Sequence, residues 1–271
     1  MSDRERLAGY VEVWWRAVDD LTTLLEELTA DDWAAPTDLP GWDVHAVAAH
    51  TAHLEGVLAG QPEETVDVGE PEHVRGVMGL YTEQGVVARR DRTPDELINE
   101  IREAATSRHT ALLADPPTDG AAKPDRIFGG IGWDWQTLLR NRPLDVWMHE
   151  QDVRRAVGRP GGLDSPAAGH TVDYLSESLG YVLAKRAGAT PGTSVRLDVD
   201  GHAPVAYVVG EDGRGRRLDD LPPEPTVTIT TGPEWFALLA GGRRTPPDDA
   251  VRIDGDVELG RRLVELFAVT P

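Results

Sequence analysis

The sequence predicts an α+β protein of two domains, an all-helical first half over residues 1–160 and a small α+β unit over 161–271. Three observations predict it. Apolar residues recur at steps of three and four from the N-terminus to about residue 157; the stretch GRPGGLDS at 158–165 then punctuates the chain; beyond it, three segments alternate apolar and polar residues.

Leu7, Val11, Trp14, Val18, Leu21, Leu25 and Leu28 predict a long amphipathic helix from Asp3 to about Thr29. Pro36 to Gly41 is turn-like, and Asp43 stands as N-cap to a helix running to near Gly60, with Val44, Val47, Thr51, Leu54 and Leu58 on one stripe. A Gly/Glu/Pro-rich loop leads into a helix from about Glu72 to Arg90. Thr93-Pro94-Asp95-Glu96 is a capping box with Pro at the first helical position, opening a helix to about Leu113. Residues 114–132 form a long loop, and Trp135 to Val157 is helical by pattern, with a break or kink expected near Pro143. In the second half, Pro166 to about Arg186 reads as one helix. SVRLDVDG, PVAYVVG and PTVTITT follow as β-branched strands, with Gly232–Ala240 and Asp256–Phe267 as short helices.

Composition narrows the function. The 271 residues carry 27 Lys+Arg against 47 Asp+Glu, a formal net charge of −20, which repels phosphate backbones and anionic headgroups, so neither nucleic acid nor membrane is an expected partner. The N-terminus is charged from its third residue, and no run of 18 apolar residues follows, so the expected location is cytoplasmic. Cys is absent, which excludes disulfides, thiolate metal sites and a Cys nucleophile; any thiol chemistry would use a borrowed sulfur. Only Lys123 and Lys185 are lysines, and this preference for Arg is the mark of GC-rich coding.

The informative polar residues cluster on two helices, with His45, His50 and His53 on the second and Arg142, Asp145, His149 and Asp152 on the last of the first half. Asp145 and His149 are four apart and share a helix face, so both can reach one ion. A His from a neighbouring helix would complete a set of two imidazoles and one carboxylate with an open position, the pattern of a catalytic zinc site. His50, in the Ala-rich AVAAHTAHL, is the candidate. The competing reading is a surface ion pair at Asp145 and His149 and a hydrogen-bonded core histidine at 50. The other motifs carry less: Gly129-Gly130-Ile131-Gly132 reads as loop, DVDG at Asp198 as a hairpin turn, and no H-E-x-x-H, G-x-S-x-G, Walker or dinucleotide signature is present.

Three separated segments carry a family resemblance. LPGWDVHAVAAHTAHL resembles the first signature of the mycothiol-dependent maleylpyruvate isomerase family, P-G-W-x-V-x-x-x-x-x-H, through Pro40, Gly41, Trp42, Val44 and His50. Its second signature, R-x-x-E-x-x-x-H-x-x-D, is met by Arg142, Asp145, His149 and Asp152, and the ending VRIDGDVELGRRLVELFAVTP is similar to its C-terminal domain. The resemblance implies a DinB-like metal-binding four-helix bundle followed by a small α+β sterol-carrier-like domain. It also implies a divalent metal, zinc by its donor set, on His50, Asp145 and His149, and mycothiol as the thiol. Asp145 departs from the pattern, being one methylene shorter than the Glu usual there.

A zinc-bound thiol is deprotonated, whereas a free thiol with a pKa near 8.5 is mostly protonated at neutral pH. The expected partners are therefore a small-molecule thiol and an electrophilic substrate, the expected reaction S-transfer or thiol-assisted cis-trans isomerisation, and the expected state a monomer or homodimer. Asp152 is the candidate to accept the second ring N–H of His149, Arg142 to pair with Asp145 or brace helices, and Trp42 to wall the thiol pocket. Arg243, in GGRRTPPDD, is the candidate thiol-binding residue of the second half. Two other readings stay open: a metal-dependent hydrolase, since the same ion activates water, and a non-catalytic small-molecule-binding protein with a vestigial metal site.

Overall fold

The structure, a computed structural model, describes residues 2–270. It falls into two compact units, Met1–Gly162 and Leu163–Pro271. The first unit is helical. Helix α1 (Asp3–Glu26) opens on a Ser2/Glu5 capping box and buries Leu7, Val11, Trp14, Val18, Leu21 and Leu25. It stops short of the expected Thr29 because Thr29 is itself the N-cap of the one-turn helix α2 (Ala30–Trp33), in a second capping box with Asp32. Helix α3 (Val44–Ala59) has Asp43 as N-cap, its carboxylate accepting from Ala46 N at 2.8 Å, and Gly60 in the left-handed region as C-cap.

Helix α4 (Gly76–Ala88) begins four residues later than the sequence suggests, and α5 (Pro94–Ala114) starts on the expected Thr93/Glu96 box. Helix α6 (Trp135–Ala156) is capped by Asp134 and runs through Pro143 as one helix; of the break or kink expected there, the break is absent. Interior proline costs a helix about 3 kcal/mol locally, but Leu138, Leu139, Arg142, Leu144, Val146 and Trp147 are all buried around it, and that packing keeps the helix whole. Helices α1, α3, α5 and α6 form the bundle, with α1 against α5 and α6 and α3 against α4, α5 and α6. The expectation for α3 was a single apolar stripe; only His45 and Ala59 escape full burial, so this is an interior helix whose alanines admit neighbours from every side.

In the second unit, the segment read as one helix is three pieces: α7 (Pro166–Ser176), the single turn α8 (Leu179–Tyr181) and a π-turn at Val182–Arg186. The expected strands are β1 (Ser194–Val199), β2 (Val205–Val209) and β4 (Val227–Thr231), joined by two the pattern did not reveal, β3 (Gly215–Arg217) and β5 (Val251–Gly255). The sheet order is β3-β2-β1-β4-β5, antiparallel except for the parallel β1–β4 pair. Helices α9 (Pro233–Ala240) and α10 (Val257–Glu265) complete the unit. Gly215 is required where β3 meets α8, since a Cβ there would stand 1.9 Å from Gly180 O. Among the described residues no helix is long and apolar enough to cross a membrane.

Candidate metal centre

Helix α3 presents His50 and α6 presents Asp145 and His149 to a common point. The Nε2 of His50 is 3.9 Å from Asp145 Oδ2, the Nε2 of His149 is 3.8 Å from Asp145 Oδ1, and one ligand atom from each residue lies within 4.8 Å of the others. A tetrahedral site with bonds near 2.1 Å has donor separations of about 3.4 Å, so the donors need only a small contraction to share one ion. Both histidines are buried, and Asp145 is 22 % exposed, which leaves one side open.

The electrostatics suit a cation. Burial first, then the neighbouring His149, holds His50 well below the usual imidazole range, so its ring is neutral. Burial pushes Asp145 up, but Arg142, His149 and His50 outweigh it and bring its carboxyl down to about 2. Two imidazoles and one carboxylate are the donor set that binds zinc. Arg142 Nη1 donates to Asp145 Oδ2 at 2.9 Å, fixing the orientation of the shorter acid.

His149 Nδ1 lies 3.3 Å from Asp152 Oδ2, a contact that calls for an N–H at Nδ1, and its Nε2 faces Asp145. Asp152 is in turn gripped by Arg155 at 2.6 Å, and Arg155 Nε donates to Asp38 at 2.9 Å, in the loop before α3. Trp42, from the same loop, sets its ring 5.0 Å from that of His50 and 6.2 Å from that of His149. Its Nε1 donates to Glu83 at 2.9 Å, and the same carboxylate oxygen is 3.1 Å from His73 Nε2. On the same helix as Asp145, Trp147 is wholly buried and donates to Gly162 O at 2.9 Å; His45, another histidine read on α3, has its Nε2 2.8 Å from Arg92 O. Arg243 lies in the second unit just after α9, its Nη1 donating to Gly241 O at 2.7 Å.

One buried acid at the centre of the bundle escaped the sequence reading. Glu55 is fully buried and accepts from Arg142, from Arg108 and from Trp14. The available signal was a lone carboxylate in the otherwise apolar and histidine-bearing VHAVAAHTAHLEGVLA.

His53 lies off the triad, against Tyr81 at 5.1 Å between ring centroids, and a Cβ at Gly85 would fall 2.3 Å from it. Neither ring nitrogen has a hydrogen-bond partner among the described residues. Burial, reinforced by Arg89, lowers its pKa to about 4. Because the folded value is depressed, the unfolded chain takes up the proton first as pH falls; stability is full above about pH 6.5 and is lost on the way to about pH 4. Urea unfolding is expected to show about 2 kcal/mol less stability at pH 5 than at pH 7 from this group. His53→Leu is expected to shrink that difference; an unchanged difference would refute the assignment.

A four-helix core that gathers two histidines and one carboxylate, followed by a five-stranded α+β unit, defines the class: a helical bundle with a small appended α+β domain. Residues 14–154 match the family described as the mycothiol maleylpyruvate isomerase N-terminal domain, and residues 170–262 match its C-terminal domain, MDMPI C-terminal. The chain belongs to this family.

Two uncharacterized proteins from two strains of Mycobacterium tuberculosis are 29% identical to it over 148 residues, 52% of this chain and 53% of theirs. The chain thus spans about half the length of the curated relatives it matches. The crystal structure of the mycothiol-dependent maleylpyruvate isomerase resembles it with a TM-score of 0.55 at 17% identity, over 95% of this chain and 98% of that one. That of a histidine-to-alanine mutant of the same isomerase gives 0.53 at the same identity and coverage. Both are likenesses of fold.

Proposed function

We propose that the chain is a metal- and thiol-dependent enzyme in which His50, Asp145 and His149 hold a divalent cation, zinc by the donor set, and mycothiol supplies the reacting sulfur. The observation that carries this reading is the convergence of three donors within 4.8 Å on two helices 95 residues apart in sequence, counted from His50 to Asp145. Family membership supports the thiol, and the absence of any Cys means that no side-chain thiolate competes for the cation.

When bound, the cation supplies a positive charge that favours the thiolate over the thiol at neutral pH. The chain's residues do the rest. Asp152 orients His149 through its ring N–H, Arg142 orients Asp145, and Trp42 gives the thiol an apolar wall. Arg243 is our candidate for recognising the polar end of the thiol. The sulfur would add to an electrophilic carbon of a small-molecule substrate. Rotation about the bond so made single, then loss of the thiolate, gives cis-trans isomerisation; retention of the new C–S bond, with a proton from solvent taken up at the neighbouring carbon, gives S-transfer. The apolar void bounded by Leu179, Leu197, Ile229, Phe236 and Phe267 measures only about 10 Å³, room for about one water. That void is too small for an apolar ligand as it stands.

Cobalt(II) tests this directly on the full chain. Saturating mycothiol, or a truncated glucosamine–cysteine analogue, is expected to give the cobalt-loaded protein an intense near-ultraviolet band from sulfur-to-metal charge transfer. A spectrum that does not respond to thiol would overturn the thiol half of the proposal and return the site to metal-activated water.

A further inference from the structure

Glu55 touches none of the three proposed ligands, yet every other helix of the bundle core reaches for it. From α1, Trp14 Nε1 donates to Oε1 at 3.0 Å; from α5, Arg108 Nη1 donates to Oε2 at 3.3 Å; from α6, Arg142 donates to Oε1 through Nε at 3.0 Å and Nη2 at 2.7 Å. Trp14, Glu55 and Arg142 are fully buried and Arg108 nearly so. The remaining arm of Arg142, Nη1, is the one that holds Asp145 Oδ2 at 2.9 Å.

We infer that Glu55 is a positioning residue for the metal centre, acting through Arg142 on Asp145. The inference rests on the metal reading above and goes beyond the three ligands. Two physical effects support it. The first is register: Glu55 is on α3 five residues after His50, and Arg142 is on α6 three residues before Asp145, so their bidentate pair locks the helix carrying one ligand to the helix carrying the other two. The second is charge. Arg142 places a buried cation against Asp145, and Glu55 neutralises it. Without that neutralisation, the Arg142 guanidinium competes with the incoming cation for the only carboxylate in the set. Positioning matters more here because Asp145, with one methylene fewer than Glu, has less reach with which to correct a shift of either helix.

The test reads metal affinity of the metal-free full chain, by competition for Zn(II) with a chromophoric chelator, alongside circular dichroism and urea unfolding. Glu55→Gln keeps the shape and removes the charge; it is expected to weaken Zn(II) binding about 10- to 100-fold, the range usual for partners that orient ligands. Arg142→Met is expected to do the same, and the double variant to bind no more weakly than Arg142→Met alone, because the first effect passes through the second residue. Leu97→Ala, in the same core on α5, is expected to lower stability and leave affinity unchanged, which separates positioning from loss of fold. Should Glu55→Gln fail to fold, Glu55→Asp, which keeps the charge but withdraws it by one methylene, carries the same test. Unchanged affinity in the Glu55 variant, or effects that multiply in the double variant, overturns the inference alone. A wild-type chain that binds no divalent cation overturns the metal reading, and this inference with it.

Discussion

His149→Ala is expected to reduce the divalent metal of the purified full chain from about one equivalent to near zero while leaving its far-ultraviolet circular dichroism unchanged. The substitution removes the Nε2 that stands 3.8 Å from Asp145 and leaves one imidazole and one carboxylate, too few donors for a retained ion. The fold survives because alanine is the strongest helix former and His149 sits two turns inside the C-terminal end of the 22-residue α6, whose buried neighbours stay in place. His53→Ala is the matched control. That ring is also buried on α3 but packs on Tyr81 rather than on the triad, so its loss should leave the ion bound. Elemental analysis after exhaustive dialysis decides between them: a His149→Ala protein that keeps its metal sinks the ligand assignment, and a His53→Ala protein that loses it means the wrong histidine was chosen from α3.

The largest stability effect is expected at Trp147→Ala, about 3–5 kcal/mol, against a typical whole-domain stability of only 5–15 kcal/mol. Trp147 has no exposed surface, and its indole N–H is the partner of Gly162 O, so the change opens a cavity and leaves a carbonyl without its donor. Trp147→Phe should cost less, since the ring volume is mostly kept and only the hydrogen bond goes. Urea midpoints at constant slope give the comparison. A cost below about 1 kcal/mol for the alanine variant would mean that the core around α6 collapses freely into the space, contrary to the close packing seen there.

What could be read from the sequence was whatever has a short-range cause. The start of α5 is written in Thr93-Pro94-Asp95-Glu96, the start of α3 in Asp43, and the shared face of Asp145 and His149 in a spacing of four. His50 as their companion needed the ordered signatures as well as the residue itself, and the structure brings the three together. What stayed hidden has long-range causes. Glu55 is one carboxylate with no motif around it; its partners are 41, 53 and 87 residues away, and only the assembled bundle makes it a hub.

Strands β3 and β5 lie at the sheet's edges: β3 is three residues with Arg216 and Arg217 and carries no apolar pattern, whereas β5 alternates as Val251-Arg252-Ile253-Asp254 over a run too short to stand out beside the helix that follows. At Pro143 the local rule signalled a break or kink, and tertiary packing kept the helix unbroken. In the opposite sense, the weak helix formers Ser176, Ser178 and Gly180 interrupt what periodicity alone made a single helix after Pro166.

The chain of contacts from His149 through Asp152 and Arg155 to Asp38 ends in the loop between α2 and α3, the same loop that delivers Trp42 to the histidines. The ring that would bind the ion and the segment that covers it are therefore two ends of one electrostatic lever. By thermodynamic reciprocity, whatever free energy an ion gains from a correctly turned His149 is returned as order in the loop, and whatever orders the loop tightens the grip on the ion. An ion held by His149 would thus be coupled, through Asp152, Arg155 and Asp38, to the loop that carries Trp42, so that substitutions in this loop far from the donors would still be felt in the affinity for the ion.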